Sequence, residues 1–240
     1  GMGIVNEGAG FVSLGTSGVV LAARAAYAPA PETALHTFCH AIPDRWIQMG
    51  AMLSATDSLN WLASLLGATP KTLTSELGDS LHYPGPERFF PYLSGERTPH
   101  NDADARGGFV GLGRATDRKA MTRAVLEGVS FGLRDSYEAI RSTGGDMREI
   151  YVIGGGAASA YWVKLLATVL GTPLRCPEGG ETGAALGAAR LAMVARGEEI
   201  VEVMSPPPTY RAVEPDGTLT AAYDDAYQVF REGYAGLKAL

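Results

Sequence analysis

Apolar and polar positions along the 240-residue chain change period several times, and each change marks an element. Across residues 11–24, FVSLG and VVLAA are strand-like on either side of residues 15–18, the pattern of a β-hairpin turned by Gly-Thr-Ser-Gly. Short strands are predicted over 34–50. In MLSATDSLNWLASLLG, Leu53, Leu59, Leu62, Leu65 and Leu66 form a helical stripe, which Gly67 ends. Residues 83–113, YPGPERFFPYLSGERTPHNDADARGGFVGLG, are rich in proline and hold a polar Asn-Asp cluster. They read as loop with short extended pieces, and loops of this length commonly carry function. Thr116 or Asp117 then caps a long helix with Met121, Val125, Val129, Leu133, Tyr137 and Ile140 at near-helical spacing, ended by Gly144 and Gly145. At 1.5 Å per residue it runs ~35 Å. EIYVIGGGAASAYWVKLLATVLG predicts strand, glycine turn and helix; TPLRC is another short strand, and residues 181–197, ETGAALGAARLAMVARG, a helix lined with Ala and Gly. No internal repeat or clear linker interrupts this order, which is that of an α/β layered fold.

Composition narrows the function. With 46 % hydrophobic and 19 % charged residues the chain has the balance of a soluble globular protein that can build a sizeable core. Its net charge is -6 and its 20 Lys and Arg are scattered, which argues against a nucleic-acid or anionic-membrane surface. Two cysteines, Cys39 and Cys176, are too few for a disulfide framework or a Cys-based metal site, and a reducing cytoplasm fits them best. No run reaches the ~18 apolar residues of a membrane span. The opening GMGIVNEGAG has the look of a domain interior, so the chain is expected to be part of something longer.

Three glycine turns are candidates for chemistry: GTSG at 15–18, GGG at 154–156 and GAALGAA at 183–189. Glycine lets main chain approach a ligand, and consecutive N–H groups near a helix N-terminus make an anion site without a lysine. Each also has a plain structural reading. GTSG can be only a hairpin corner, and the small residues of GAALGAA suit tight helix packing. YVIGGGAAS offers a third possibility, half of a dinucleotide fingerprint with Gly154, Gly156 and Glu178 in the spacing of a ribose-binding acid, although Ser159 stands where the third glycine belongs.

Taken in order, SLGTSG, YLSGERTPHNDADARGGFVGL, AVLEGVSFGL, IGGGAASAYW and GAALGAARLA resemble the C-terminal half of the FGGY family of carbohydrate kinases, from residue 1 to about 196. The resemblance implies a ribonuclease H-like, actin-type fold with a mixed central sheet flanked by helices. Two such domains would face a cleft, with residues 1–240 forming the C-terminal nucleotide-binding one and the sugar lying mainly on the N-terminal one. It implies ATP and Mg²⁺ as cofactors and a sugar partner, D-xylulose, phosphorylated to D-xylulose 5-phosphate. Another ketose or polyol, or a non-catalytic nucleotide-binding module, are the alternatives, and a homodimer is a further expectation. On the family's motifs Gly15, Thr16 and Ser17 fall beside the β- and γ-phosphates, Thr56 and Asn60 near the nucleotide, and Gly154, Gly155, Gly156 and Ser159 on the adenosine-side turn. Ala120 departs from the family pattern, which has an acid, amide or His there. The family's general base is an aspartate before the GTSG turn, counted to about seven residues ahead of Gly1. Glu7, the acid preceding the hairpin, falls on a variable connection. No catalytic residue is therefore expected within the chain, which alone should be silent.

Other groups are read more plainly. His100, Asp102 and Asp104 in HNDAD are turn-capping rather than metal-binding. Glu96 and Arg97 are either a cleft-facing pair or a solvated one. Trp46, Trp61 and Trp162 are assigned to the core, and His36, His40 and His82 have no visible partner.

Overall fold

The computed structural model of the chain describes residues 1–180 and 183–238. The first hairpin joins β1 (Ala9–Leu14) to β2 (Gly18–Arg24), with Leu14 opposite Gly18. Gly10, Val12 and Leu14 are buried, while the residues between them are half-buried on the opposite face. Beyond β2 lie β4 (Trp46–Met52) and, at the edge, β3 (His36–Cys39). On its other side β1 is followed by β7 (Glu149–Ile153), β8 (Leu174–Pro177) and β9 (Thr209–Val213). The seven-stranded sheet has the order β3-β4-β2-β1-β7-β8-β9, with β1, β7 and β8 parallel and the other pairs antiparallel. The extended pieces of the long loop are β5 (Arg88–Phe90) and β6 (Gly108–Val110), which pair as a separate hairpin.

The helices are α1 (Thr56–Leu65), α2 (Pro70–Ser75), α3 (Arg118–Ser142), α4 (Ala160–Leu170), α5 (Gly183–Ala195), α6 (Ile200–Val203) and α7 (Thr220–Lys238). Asp117 caps α3 by accepting from the Ala120 N–H at 2.8 Å. This helix crosses β2 and β4 and packs against α4 and β5, burying Val125, Val129, Leu133 and Ile140 as their spacing predicts. Tyr223, Tyr227 and Phe230 of α7 close the core around Phe131 and Phe90. The other face of the sheet holds a much smaller cluster, Met2, Ile4, Ala23 and Tyr151.

Several expectations are corrected. The helix α2 and the strand β9 carry no apolar period long enough to announce them, and neither is in the sequence reading. GAALGAA is not packed tightly against a helix among the described residues, although α6 adjoins it. Among the described residues α5 buries no side chain, and its small face admits the main chain of Gly1, beside Gly187. Glu181 and Thr182, counted into this helix, lie outside the described residues. Trp162 is in the core, with its indole N–H donating to Ser130 Oγ at 3.3 Å, and Trp61 stacks on Phe89 and Phe109 at the core's margin. Trp46 is not core. It is half-buried and tilts against the exposed ring of Tyr27. His40 also has partners: one ring nitrogen lies 2.9 Å from the Ile4 carbonyl and the other accepts from the Ile42 N–H.

Candidate nucleotide-binding cleft

The Gly-Thr-Ser-Gly corner leaves Thr16 and Ser17 exposed at the tip of a buried hairpin. Its carbonyls are turned onto the N-terminus of α1. Gly15 O accepts from the Thr56 N–H at 2.9 Å and from the Thr56 hydroxyl at 2.8 Å, and Thr16 O accepts from the Ala55 N–H at 2.8 Å. The first turn of α1 is thus capped by main chain, and Ala55, at the N-cap, offers no side chain to do it. With the carbonyls engaged, the Thr16 and Ser17 amides have no acceptor among the described residues.

The second glycine turn reaches the same place. Gly154 has φ +89°, which favours glycine, and a Cβ there would press on Leu14 and the Gly15 nitrogen. A Cβ on Gly156 would stand 2.8 Å from Leu14 Cβ and 3.1 Å from Thr56 Cγ2. The bend therefore lies directly on the end of β1 and the start of α1. Ser159 closes it by accepting from the Trp162 N–H at 3.2 Å, capping α4. Gly155, by contrast, is exposed, with nothing within 4 Å of where its Cβ would be.

Between these elements is a cleft of about 820 Å³. Thr56, Asn60, Gly155, Gly156 and Ser159 line it, as the sequence reading grouped them. Gly15, Thr16, Ser17 and Gly154 are not on its wall but adjoin it through the contacts above. The opposite wall is α2 and the turn after it, with Lys71, Thr74, Ser75 and Asp79, which the sequence reading missed. A signal existed: Thr69 followed by Pro70 is the N-cap and first-turn pattern of a helix, and Thr69 Oγ1 does accept from the Thr72 N–H. Lys71 and Asp79 are the charged residues among the described lining. Tyr161, at the base of the cleft, has its phenol pushed up to about 12, foremost by burial, and stays protonated.

Outside the cleft, Glu178 donates its N–H to Pro208 O and does not line the cavity, so the dinucleotide spacing is not realised as a site. Glu7 lies at the far end of β1, about 20 Å of strand from the corner, and pairs with Arg24 at 3.2 Å. Asp102 is a turn cap. Its Oδ1 accepts from the Asp104 and Ala105 N–H groups and its Oδ2 from the Tyr234 hydroxyl, and these bonds hold its carboxyl at about 2. Glu96 and Arg97 are neither a cleft-facing nor a solvated ion pair. Arg97 is exposed, while Glu96 is buried and accepts from the main chain, which burial accompanies by pushing its carboxyl up to about 8.

A mixed sheet flanked by helices, with a hairpin corner and a glycine bend meeting over one cleft, has a known counterpart. The chain belongs to the FGGY family of carbohydrate kinases: the model of that family's C-terminal domain matches residues 10–196. It is 40 % identical over 243 residues to the xylulose kinase of Escherichia coli (strain K12), covering 100 % of this chain and 50 % of that relative. Among solved structures, a xyloylose kinase from Brucella ovis superimposes with a TM-score of 0.95 at 51 % identity, over 99 % of this chain and 49 % of that one. The xylulose kinase from Rhodospirillum rubrum gives a TM-score of 0.87 at 27 % identity, again over 99 % of this chain and 49 % of the other. The expected ribonuclease H-like, actin-type α/β class stands. The chain spans about half the length of these relatives.

Proposed function

We propose that this chain supplies the ATP-binding half of a pentulose kinase, which transfers the γ-phosphoryl group of ATP to a hydroxyl of D-xylulose and yields D-xylulose 5-phosphate. The observation that carries the reading is the meeting of the 15–17 corner and the 154–156 bend at one end of a cleft roomy enough for a nucleotide. The residues present fit the cofactor. Thr16, Ser17 and Gly155 are exposed, their amides are available to an anion without needing a cation, and Lys71 adds one positive charge on the opposite wall. In this assignment Gly15, Thr16 and Ser17 hold the phosphates, Thr56 fixes the corner, and Asn60, Gly154, Gly155, Gly156 and Ser159 border the adenosine.

Phosphoryl transfer asks mainly for positioning and charge compensation, which these groups provide. Mg²⁺, when bound, would neutralise phosphate charge. The proton of the sugar hydroxyl is assigned to the family's aspartate, which the motif places ahead of Gly1, rather than to Glu7, a strand's length away from the corner. Calorimetric titration of the chain with ATP, ADP and NAD tests the binding assignment: uptake of ATP and ADP is expected, and uptake of NAD alone would refute it. A coupled ADP-release assay with D-xylulose tests the division of labour. The chain alone should give no turnover and a protein of the relatives' full length should give it.

A further inference from the structure

Resting on the nucleotide reading of the cleft, we propose that Glu96 is a positioning residue for the phosphate end of the nucleotide: its carboxyl fixes the entry into α1, and α1 fixes the 15–17 corner. Glu96 is 3 % exposed, on the loop that follows β5. Its Oε1 accepts from the Arg97 N–H at 2.7 Å and from the Leu53 N–H at 3.1 Å. Leu53 is where the chain leaves β4 to begin α1. Two and three residues later, Ala55 and Thr56 make the hydrogen bonds to Thr16 O and Gly15 O that hold the corner. A continuous series of bonds thus runs from Glu96 through Leu53 and the first turn of α1 to the phosphate corner.

The loop has a firm support of its own. The Glu96 main chain exchanges two hydrogen bonds with Asp102, at 2.8 and 2.9 Å, and Asp102 is held by the Tyr234 hydroxyl of α7 at 2.7 Å. Thr98 adds a parallel tie, pairing with Ala51 through both its N–H and its hydroxyl. The carboxyl is also a costly way to cap two amides. It is buried with no ion-pair partner, and its Oε2 has no hydrogen-bond partner among the described residues. An amide oxygen would serve the same acceptor role without burying an ionisable group. The adenosine side meets this series only at α1, through Asn60 and the packing of Gly156 on Thr56, and its main support is separate, because Ser159 closes the 154–156 bend by its own bond to α4.

That separation gives a readout that a merely structural role would not produce. ADP and adenosine are titrated calorimetrically into the chain carrying Glu96, Glu96→Ala or Glu96→Gln. Glu96→Ala is expected to weaken ADP about tenfold, the worth of one hydrogen bond, and adenosine by less than about twofold. Glu96→Gln, which keeps the acceptor oxygen, is expected to restore ADP to within about threefold of the parent. Equal loss for ADP and adenosine, no loss for either, or no rescue by Gln would each overturn the proposal. If Glu96→Ala does not fold, Glu96→Asp carries the same comparison, since its shorter side chain cannot reach Leu53 and should show the same ADP-selective loss. A parent chain that binds neither ligand would overturn the nucleotide reading itself, and this inference with it.

Discussion

The two faces of the central sheet differ in what covers them. Toward α3 and α4, the buried residues of β1 and β2 meet Val125, Val129, Leu133 and Trp162, all inaccessible to solvent or nearly so, and α7 seals the margin with aromatic rings. Toward the other face, the cluster has four buried residues with Ala9, Phe11, Leu21 and Ile153 half-buried against them, and α5 nearby is apolar on every side except for Arg190 yet buries none of its residues. Leu191 and Met193 each remain 43 % exposed. Apolar composition therefore did not secure burial; the presence of a packing partner did. A helix that is apolar all round is ordinarily covered, and among the described residues Gly1, Met2 and α6 approach α5 without burying it.

The contrast is open to direct attack by truncating side chains on each face. Phe131→Ala should be the most damaging, costing about 3–5 kcal/mol in denaturant unfolding, because Phe131 is fully enclosed and its removal leaves a cavity that rigid aromatic neighbours cannot fill. Ile4→Ala, in the small cluster of the second face, should cost about 2 kcal/mol, the low end for such a truncation, since the thin cover of residues 1–5 can collapse onto the gap. Equal losses at the two positions would erase the distinction between the faces.

Titration sharpens the same comparison, because the buried carboxyls belong to the packed side. Burial pushes Glu96 and Glu127 up to about 8 and Asp135 up to about 6, in Glu127 against the opposing pull of Arg123 and Arg88. The unfolded chain releases these protons first, at ordinary carboxyl values, so the folded state binds more protons between about pH 4 and pH 8. Stability from these groups is complete below that window, falls as pH rises through it and levels off above about pH 8. Thermal melts should show Tm declining from pH 5 to pH 8, and Glu96→Gln should decline less steeply than the parent. The smallest effect is expected at Leu191→Ala, within about 0.5 kcal/mol of the parent chain, because its side chain is largely in water already. A loss of 2 kcal/mol or more, the cost of emptying a core position, would mean that α5 is covered in solution.

Much of the candidate site was legible in the sequence. Residues 15–17, 56, 60, 154–156 and 159 are marked mostly by glycines and hydroxyls near the ends of strong apolar periods, and those periods are local. The wall formed by α2 was not legible, because six residues with one buried position, Leu73, hold too little period to stand out. Glu96 was misread for a related reason. Beside Arg97 it looks like half of an ion pair, yet the loop turns the arginine outward and the carboxyl inward onto the main chain of Leu53, 43 residues away in sequence.

What the sequence settled by itself was local: the hairpin and its exposed corner, the long helix α3 with its cap and stripe, the glycine bend and the capped helix after it. Periodicity and capping are written in neighbouring residues, so neighbouring residues suffice to read them. Only the tertiary structure decided that the two glycine turns meet beside one cleft, that α2 closes it, that Glu96 faces inward and that α5 stays uncovered among the described residues. Each of these depends on which distant segment comes to lie alongside, and that is set by the energy of packing the whole chain rather than by the preferences of any one stretch of it.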